Sequence, residues 1–171
     1  PAWECKTGSK LRKIKGSVCA SCYALKGNYT RYPAIKRAQY RRLEAMKSPL
    51  WVDAMIAVIK RQKWFRWHDA GDVQDLQHLN NIFKICEATP DTKHWLPTRE
   101  AWIKDHLASK PDNLVIRFSP PMMGQRNDTW PNSSMVVETG ATCPAPAQGG
   151  KCGSCRACWD SKVKVVSYGK H

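Results

Sequence analysis

The fold is decided by residues 63–119, KWFRWHDAGDVQDLQHLNNIFKICEATPDTKHWLPTREAWIKDHLASKPDNLVIRFS. This stretch alternates between short apolar segments typical of strands and longer segments whose apolar residues recur at helical spacing. The predicted strands are 63–68, 93–98 and 113–119, and the predicted helices are 73–89 and 99–110. Strands that alternate with helices across short connections form parallel sheets with consecutive strands side by side. We therefore expect an α/β fold whose parallel sheet forms an open or partial (β/α) barrel.

Two more helices are predicted before this stretch, at 33–47 and 49–62. The first begins at Pro33, which suits the first turn of a helix because its missing N–H would be unpaired there. The residues expected to face the core are Ile35, Ala38, Tyr40, Leu43 and Met46 in the first helix, Trp51, Met55, Ile56 and Ile59 in the second, and Leu76, Leu79, Ile82, Phe83 and Cys86 in the helix at 73–89. We predict one domain over 1–171, with a basic cysteine-bearing segment (1–32), an α/β core (33–120) and a cysteine-rich, cluster-binding segment (121–171) that contains two short strand-like runs.

Polar residues follow the predicted strands at their C-terminal ends, where parallel sheets gather their functional groups. His68, Asp69 and Asp72 follow the first strand, and Thr98 and Arg99 end the second. We take His68, Asp69, Asp72 and Arg99 as candidate catalytic or ligand-binding residues. A structural role is the alternative for His68 and Asp69, as a satisfied histidine beside a helix N-cap.

The chain is strongly basic, with 28 Lys and Arg against 14 Asp and Glu and a formal net charge of +14. Such an excess points to anionic partners, which are nucleic acids, anionic cofactors or acidic proteins. No recognised nucleic-acid-binding motif accompanies the charge. No apolar run approaches the roughly 20 residues of a membrane-spanning helix, and the first residues lack the apolar segment of a signal peptide. We expect a cytoplasmic protein that does not contact the membrane.

Four of the eight cysteines fall in CPAPAQGGKCGSCRACW, residues 143–159. Cys152, Cys155 and Cys158 form a C-x2-C-x2-C run, the spacing by which ferredoxin-type segments hold a [4Fe–4S] cluster. Cys143 is the nearby candidate for a fourth ligand. We predict that these four residues bind the cluster, near the rim formed by the strand ends. A zinc ion is the alternative, although zinc sites more often use two separate C-x2-C pairs, and disulfides remain as a third interpretation.

A second set consists of Cys5, Cys19 and Cys22, which is one ligand too few for a closed four-coordinate site. Four interpretations stay open. In the first, the set holds a second cluster with one open iron; in the second, His68 or Asp69 completes the site. In the third, the set shares a cluster with the C-terminal cysteines, and in the fourth it is a zinc site or a group of ordinary thiols. The eighth cysteine, Cys86, belongs to the apolar stripe of a predicted helix and is expected in the core.

Three segments together resemble the bacteriophage gene product 88 family: GSVCASCYALKGNYTRYPAIKRAQ, FRWHDAGDVQDLQHLNNIFKIC and the closing CPAPAQGGKCGSCRACW. The resemblance runs from about Cys5 to Trp159. It implies a phage auxiliary protein in the host cytoplasm, with the cysteines and His68, Asp69, Gly71 and Asp72 as signature positions. The strand–helix pattern also looks like part of a radical-SAM-type barrel, but the chain lacks the cysteine motif of that family and is short for it.

These observations support one main functional hypothesis and two alternatives. The main one is a ferredoxin-like electron carrier that exchanges electrons with an acidic redox protein, such as a flavodoxin or a host reductase. The first alternative is a radical-SAM-like enzyme, in which Cys5, Cys19 and Cys22 hold an open-site cluster and Asp69, Asp72, Thr98 and Arg99 bind substrate. The second alternative is a zinc-stapled module that binds nucleic acid.

Overall fold

A computed structural model describes residues 1–170. Its centre is a parallel sheet of five strands in the order β1-β2-β3-β4-β5, curled into a half-barrel. The strands are β1 (Trp64–Arg66), β2 (Lys93–Thr98), β3 (Leu114–Phe118), β4 (Ser133–Val137) and β5 (Val165–Gly169). The predicted α/β fold with an open, barrel-like parallel sheet is confirmed. The three predicted strands form β1 to β3, and β4 and β5 come from the segment after residue 120.

The α-helices are α1 (Lys6–Leu11), α2 (Asn28–Arg31), α3 (Pro33–Ala45), α4 (Trp51–Ile59) and α5 (Leu76–Glu87). Helix α5 makes the crossover from β1 to β2. Asp75 caps its N-terminus, with Oδ1 accepting a 2.8 Å hydrogen bond from the backbone N–H of His78. The crossover from β2 to β3 is a 3-10 helix, Ala101–Ser109, where the sequence predicted an α-helix. Ile103 is its one buried side chain, so this segment has no broad apolar stripe to stabilise regular α-helical packing.

The main hydrophobic core lies between one face of the sheet and helices α4 and α5. Alternate residues of the strands supply the sheet side of it, including Leu96, Leu114 and Ile116. The predicted stripe of α5 is buried except for Leu76, which is 45% exposed because it lies in the first turn of the helix. Cys86 is fully buried in this core, as predicted. In α4, Ile59 is fully buried and its predicted neighbours pack against the same core.

The predicted core-facing side of α3 was wrong for two of its five residues, while Ala38, Leu43 and Met46 are half-buried. Ile35 and Tyr40 are exposed, at 36% and 37%, and Gln39 is the buried residue of the helix. The reason is that Tyr40 turns towards the N-terminal segment, where its ring stacks on Trp3 and its hydroxyl donates a 3.0 Å hydrogen bond to Glu4. Helix α3 therefore supports the N-terminal segment.

The opposite, inner face of the sheet is only partly filled. Trp95 and Val166 pack there against Cys158, in the short 3-10 turn Ala157–Trp159. This turn contacts β2 and β3, and Nε1 of Trp159 donates a 2.9 Å hydrogen bond to the carbonyl of Phe65 in β1. The interior at the C-terminal ends of the strands is open. Within residues 1–170, every helix is too short or too polar to span a membrane.

Candidate metal and ligand sites

A cavity of about 620 Å³ opens at the C-terminal ends of the strands. Cavities of a few hundred Å³ are typical of small-molecule sites, and this one lies where parallel α/β proteins place their chemistry. All four predicted rim residues line it, namely His68, Asp69, Asp72 and Arg99. The other walls come from β4, β5 and the loop after β3, including Ser119, Met123, Ser134, Val136 and Tyr168.

The three N-terminal cysteines, Cys5, Cys19 and Cys22, line this same cavity. The prediction left their partners open, and the structure brings them together with the rim residues. Two anchors hold their segment in place. Glu100 accepts hydrogen bonds from the backbone N–H of Thr7 (3.1 Å) and from its hydroxyl (2.9 Å). Farther along, the backbone N–H of Val18 donates to the carbonyl of Pro121 at 2.9 Å.

Gly8 lies against the sulfur atoms of this set. A Cβ added at Gly8 would lie 2.7 Å from Cys5 Sγ and 3.8 Å from Cys19 Sγ. The missing side chain therefore leaves room beside two thiols that face one cavity. Burial is the main reason that the pKa of the Cys5 thiol rises to about 12, with a further contribution from Asp72. Burial also raises the pKa of Cys19, against the opposing charge of Arg99. Buried thiols of this kind ionise when they bind a metal.

Asp72 connects the ends of two strands. Its Oδ1 accepts hydrogen bonds from the N–H of Val73 (2.8 Å) and the hydroxyl of Thr98 (2.7 Å), and its Oδ2 accepts one from the N–H of Arg99 (2.7 Å). Burial raises its pKa to about 6 despite these donors. One oxygen each of Asp72 and Glu100 and Cys5 Sγ lie within 4.8 Å of one another. Both carboxylates already accept several hydrogen bonds from the protein. We therefore assign them the role of positioning the rim residues and not that of metal ligands.

Asp69 connects the rim to residues 23–29. Its Oδ2 accepts a 2.5 Å hydrogen bond from the hydroxyl of Tyr29, and its backbone carbonyl accepts one from Tyr23. Burial and the bond to Asp69 raise the pKa of Tyr29. Asp69 thus holds the segment that follows Cys22 against the end of β1.

His68 has a backbone conformation that is rare for a residue with a side chain, with φ at 55°. Both ring nitrogens are buried and have no hydrogen-bond partner among residues 1–170. Burial, assisted by the neighbouring His78, lowers the pKa of His68 to about 3. The imidazole is therefore neutral at physiological pH, and its strained backbone is of the kind that concentrates at functional sites.

The sequence prediction missed two arginines of the cavity, Arg12 and Arg66. The guanidinium of Arg66 lies 5.0 Å from the centre of the Trp95 ring. Arg99, which was predicted, is fixed by hydrogen bonds from its Nη1 to the carbonyls of Ser119 (3.0 Å) and Pro120 (2.6 Å). Nothing in the sequence pattern separates Arg12 and Arg66 from the other basic residues. Arg12 reaches the cavity from the end of α1 and Arg66 from the end of β1, so their meeting depends on the tertiary fold.

The C-terminal tetrad, Cys143, Cys152, Cys155 and Cys158, lines a different cavity of about 20 Å³. The structure therefore brings the four predicted ligands together. They lie beside Trp159 and Val166 and line a cavity distinct from the large one at the rim. The two cysteine sets line separate cavities, so a cluster shared between them does not fit this arrangement. All eight cysteines are free.

Arg117, in β3, holds the segment that carries the last cysteine of the tetrad, Cys158. It is fully buried, and its guanidinium donates to the carbonyls of Cys158 (3.0 Å), Ala157 (2.7 Å), Asp160 (2.8 Å) and Ser133 (3.3 Å). Among the residues that the structure describes, no carboxylate forms an ion pair with it. A buried cation normally requires an anionic partner. A metal bound by four thiolates carries negative charge and would supply one.

Tyr168 lies between the two cysteine sets. Its hydroxyl is 3.1 Å from Cys158 Sγ, and its ring stacks on Trp95. Trp95 packs against Cys158, and both aromatic residues also line the large cavity. Two aromatic side chains therefore separate the tetrad from the cavity that the N-terminal cysteines line.

A family model, gene product 88, matches residues 2–142. The chain belongs to the gene product 88 family. The matched region includes the three N-terminal cysteines and the rim, and it ends one residue before Cys143, the first cysteine of the tetrad. No curated protein and no solved structure matches this chain.

Proposed function

We propose that this member of the gene product 88 family is an iron–sulfur enzyme. Cys5, Cys19 and Cys22 would hold a [4Fe–4S] cluster whose fourth iron faces the large cavity, and the tetrad would hold a second, electron-transferring centre. The observation that carries the proposal is that three cysteines line a cavity of about 620 Å³ at the C-terminal ends of the strands. Among the hypotheses drawn from the sequence, this favours an open-site enzyme over an electron carrier alone.

The N-terminal set suits a cluster with an open coordination position. Three thiolates leave one of four irons without a protein sulfur, and Gly8 leaves space beside Cys5 and Cys19. Arg99 contributes positive charge close to Cys19, which favours the thiolate. When bound, such a cluster supplies a Lewis-acidic iron and a site for one-electron reduction. The protein's own groups would bind a substrate at the arginines, keep the His68 imidazole neutral, and hold the cysteine segment through Asp69 and Glu100.

The tetrad suits a closed centre. Four cysteines saturate a cluster, so no iron remains for substrate and electron transfer is the function that is left. The positive charge of Arg117 and the hydroxyl of Tyr168 both lie where they would stabilise the reduced, more negative state. Residues 151–164 carry four basic residues and one acidic residue, which suits docking of an acidic redox protein such as a flavodoxin or a host reductase.

A structural zinc ion is the second candidate for the tetrad. The cavity of about 20 Å³ favours a single ion in this conformation, and four thiolates form a common structural zinc site. A cluster would need the exposed loop at 146–154 to move outwards. Zinc at the tetrad would leave the N-terminal proposal intact and remove the internal electron source.

The test is anaerobic reconstitution, with iron, sulfide and zinc measured on each sample. We expect about eight irons and eight sulfides per chain in the wild type, and about four of each after replacement of either cysteine set by alanine. Cys86→Ala is the control, because this cysteine lies in the core and is expected to leave the metal content unchanged. Zinc without sulfide in both sites would overturn the proposal.

The open iron requires a separate measurement. In the variant with an intact N-terminal set and an alanine-substituted tetrad, we expect added cyanide to change the EPR spectrum of the reduced cluster, because one iron can accept a ligand. The converse variant is expected not to respond. Added S-adenosylmethionine tests the radical-SAM-like alternative in the same sample, through a spectral change and reductive cleavage. A cluster that responds to neither compound would contradict the open site.

A further inference from the structure

Three arginines of the large cavity have no anionic partner. Arg12, Arg66 and Arg99 all line it, and within residues 1–170 the ion pairs are the exposed pairs Lys47–Glu44 and Arg126–Asp128. Most basic side chains of this protein are exposed and solvated, where an unpaired charge costs little. A group of guanidinium ions in the walls of one cavity is different, because they repel one another and because two of them, Arg12 and Arg99, are half-buried, although Arg66 is exposed.

The acidic residues of the cavity do not neutralise these arginines. The carboxylate of Asp69 accepts the hydroxyl of Tyr29. The carboxylate of Asp72 is buried and accepts one hydroxyl and two backbone N–H groups. Lys170 adds a further positive charge to the lining. Without a bound cluster the cavity is therefore electropositive, and its cations are available to a ligand.

Two of the arginines are held in fixed positions. Arg99 donates through Nη1 to two carbonyls of the loop after β3, which orients its planar guanidinium. Arg66 lies over the face of Trp95 at 5.0 Å, a cation–π arrangement. Fixed guanidinium groups are suited to recognise carboxylate and phosphate oxygens in pairs. Apolar residues of the same cavity, among them Pro97, Val136 and Tyr168, offer contacts to the remainder of a ligand.

We propose that the large cavity binds a small organic anion, whose phosphate or carboxylate group pairs with Arg66 and Arg99 and whose apolar part packs against Pro97, Val136 and Tyr168. The inference rests on the proposed function, since it names the substrate class for the same cavity. Arg12 and Arg99 also lie close enough to Cys19 to influence its thiol. The bound anion would thus lie beside the N-terminal cysteines. Arg66 is the better residue for a test, because it lies over Trp95 and close to Tyr23, Tyr29 and His68, whereas Arg12 and Arg99 are the arginines that act on Cys19.

The test is direct binding, measured by isothermal titration calorimetry in buffered moderate salt. The probes are adenosine 5′-diphosphate, citrate and inorganic phosphate, so that organic phosphate, organic carboxylate and the bare anion are compared. We expect at least one organic probe to bind the wild type more tightly than inorganic phosphate, and to bind Arg66→Gln about tenfold more weakly. Arg66→Lys keeps the charge without the planar fork and is expected to recover only part of the affinity.

Arg61→Gln is the matched control, because it removes the same charge from an exposed position just after α4. Equal weakening by Arg61→Gln and Arg66→Gln would mean that the anions respond to the net charge of the whole protein, and it would overturn the inference. Absence of binding by all three probes would also overturn it. Tighter binding of adenosine 5′-diphosphate than of citrate assigns a phosphate ligand, and the reverse order assigns a carboxylate.

The same titrations are made on metal-free and reconstituted protein, with iron and sulfide measured on each sample. Binding that depends on Arg66 in a protein that takes up no iron would support the anion site and refute the proposed function. If the protein holds the expected clusters but Arg66→Gln binds the anions as tightly as the wild type, the anion site is refuted and the proposed function is not. Circular dichroism of Arg66→Gln and Arg66→Lys confirms that a loss of binding does not come from unfolding.

Discussion

The guanidinium of Arg117 is anchored to the backbone of Cys158, with Nε donating a 3.0 Å hydrogen bond to the Cys158 carbonyl. The two residues are 41 positions apart in the sequence, so this contact fixes the tetrad segment to the centre of the sheet. Three more carbonyls accept hydrogen bonds from the same side chain. Arg117 thereby couples the sheet to the conformation of the tetrad.

Arg117→Lys is expected to destabilise the protein strongly. Lysine keeps the charge, but a single ammonium group cannot reach four carbonyls arranged around a planar guanidinium. Loss of several buried hydrogen bonds predicts a cost of about 2–4 kcal/mol, or roughly 5–15 °C in Tm for a chain of this length. Thermal unfolding of the reconstituted protein measures it. Arg37→Lys, at an exposed position of α3, is the control, and equal melting of the two variants would refute this role of Arg117.

Gly8→Ala is expected to remove metal from the N-terminal site and spare the tetrad. The added Cβ would lie 2.7 Å from Cys5 Sγ, so the thiol must move away from its present position. Alanine is a better helix former than glycine, so α1 itself is not weakened. We expect about four fewer irons per chain. Gly169→Ala is the matched control, since an added Cβ there meets no atom within 4 Å. Full iron content in Gly8→Ala would contradict the N-terminal ligand assignment.

The hydrogen bonds from Thr7 to Glu100 are expected to stabilise the N-terminal segment. The backbone N–H and the hydroxyl of Thr7 both donate to this carboxylate, and hydrogen bonds to charged groups contribute more than neutral ones. Thr7→Ala keeps the backbone N–H and removes the hydroxyl, so a double-mutant cycle with Glu100→Ala measures the hydroxyl bond and should give a coupling energy of about 1–2 kcal/mol. The exposed Gln77–Asn81 pair, joined by a 2.9 Å hydrogen bond, is the control and should give a coupling near zero. Similar values for both pairs would argue against an anchoring role.

Much of the sheet could be predicted from the sequence, because its first half follows local rules. Helix α5 has an apolar period of 3.6 and an Asp cap, and β2 and β3 are bounded by turn residues. The rule that parallel strands present their C-terminal ends on one side placed His68, Asp69, Asp72 and Arg99 in one cavity. Each of these predictions needs only neighbouring residues and the chirality of the crossover.

The remaining features depend on contacts between distant segments. Nothing within 113–119 indicates that Arg117 is fully buried, because its hydrogen-bond acceptors lie beyond residue 130. Tyr40 lies on an exposed side of α3 because its hydroxyl donates a hydrogen bond to Glu4. The helical spacing of apolar residues cannot predict this contact with the N-terminal segment. The sequence predicted the four residues of the tetrad but not the separate cavity that they line, and it left the N-terminal cysteines without a location. Their positions are set by the Glu100 anchor and by the packing of Cys158 against Trp95.

Acidification below pH 6.5 is expected to destabilise the protein through its buried histidines. Burial lowers the pKa of His94 to about 4, while in the unfolded chain it is close to the ordinary value of 6.5. As the pH falls from 6.5 to 4, the unfolded state therefore gains a proton that the folded state does not. The contribution of His94 to the free energy of unfolding is complete above pH 6.5. It falls by about 1.4 kcal/mol per pH unit between pH 6.5 and pH 4. Asp72 has the opposite effect on the free energy of unfolding. Burial raises its pKa to about 6, so below this pH the folded state binds a proton more readily than the unfolded state does.

His94→Gln isolates this contribution. Glutamine can still bond to Thr89, which lies 2.9 Å from Nε2 of His94, and it does not titrate. Urea unfolding at pH 7 and pH 5 should show a smaller loss of stability in the variant than in the wild type, by roughly 2 kcal/mol. An identical loss in both proteins would show that His94 does not contribute.

Tyr168→Phe is expected to shift the reduction potential of the tetrad centre to a more negative value. The hydroxyl lies 3.1 Å from Cys158 Sγ, and beside a metal-bound thiolate it can only donate. Hydrogen bonds to cluster sulfurs raise the potential because they stabilise the added electron. Phenylalanine keeps the ring that stacks on Trp95 and removes only the donor. An EPR-monitored redox titration of a variant whose N-terminal cysteines are alanine gives the potential without a second cluster. Tyr32→Phe, at a position 49% exposed, controls for the loss of a tyrosine hydroxyl elsewhere. An unchanged or more positive potential in Tyr168→Phe would mean that this hydroxyl does not act on the centre.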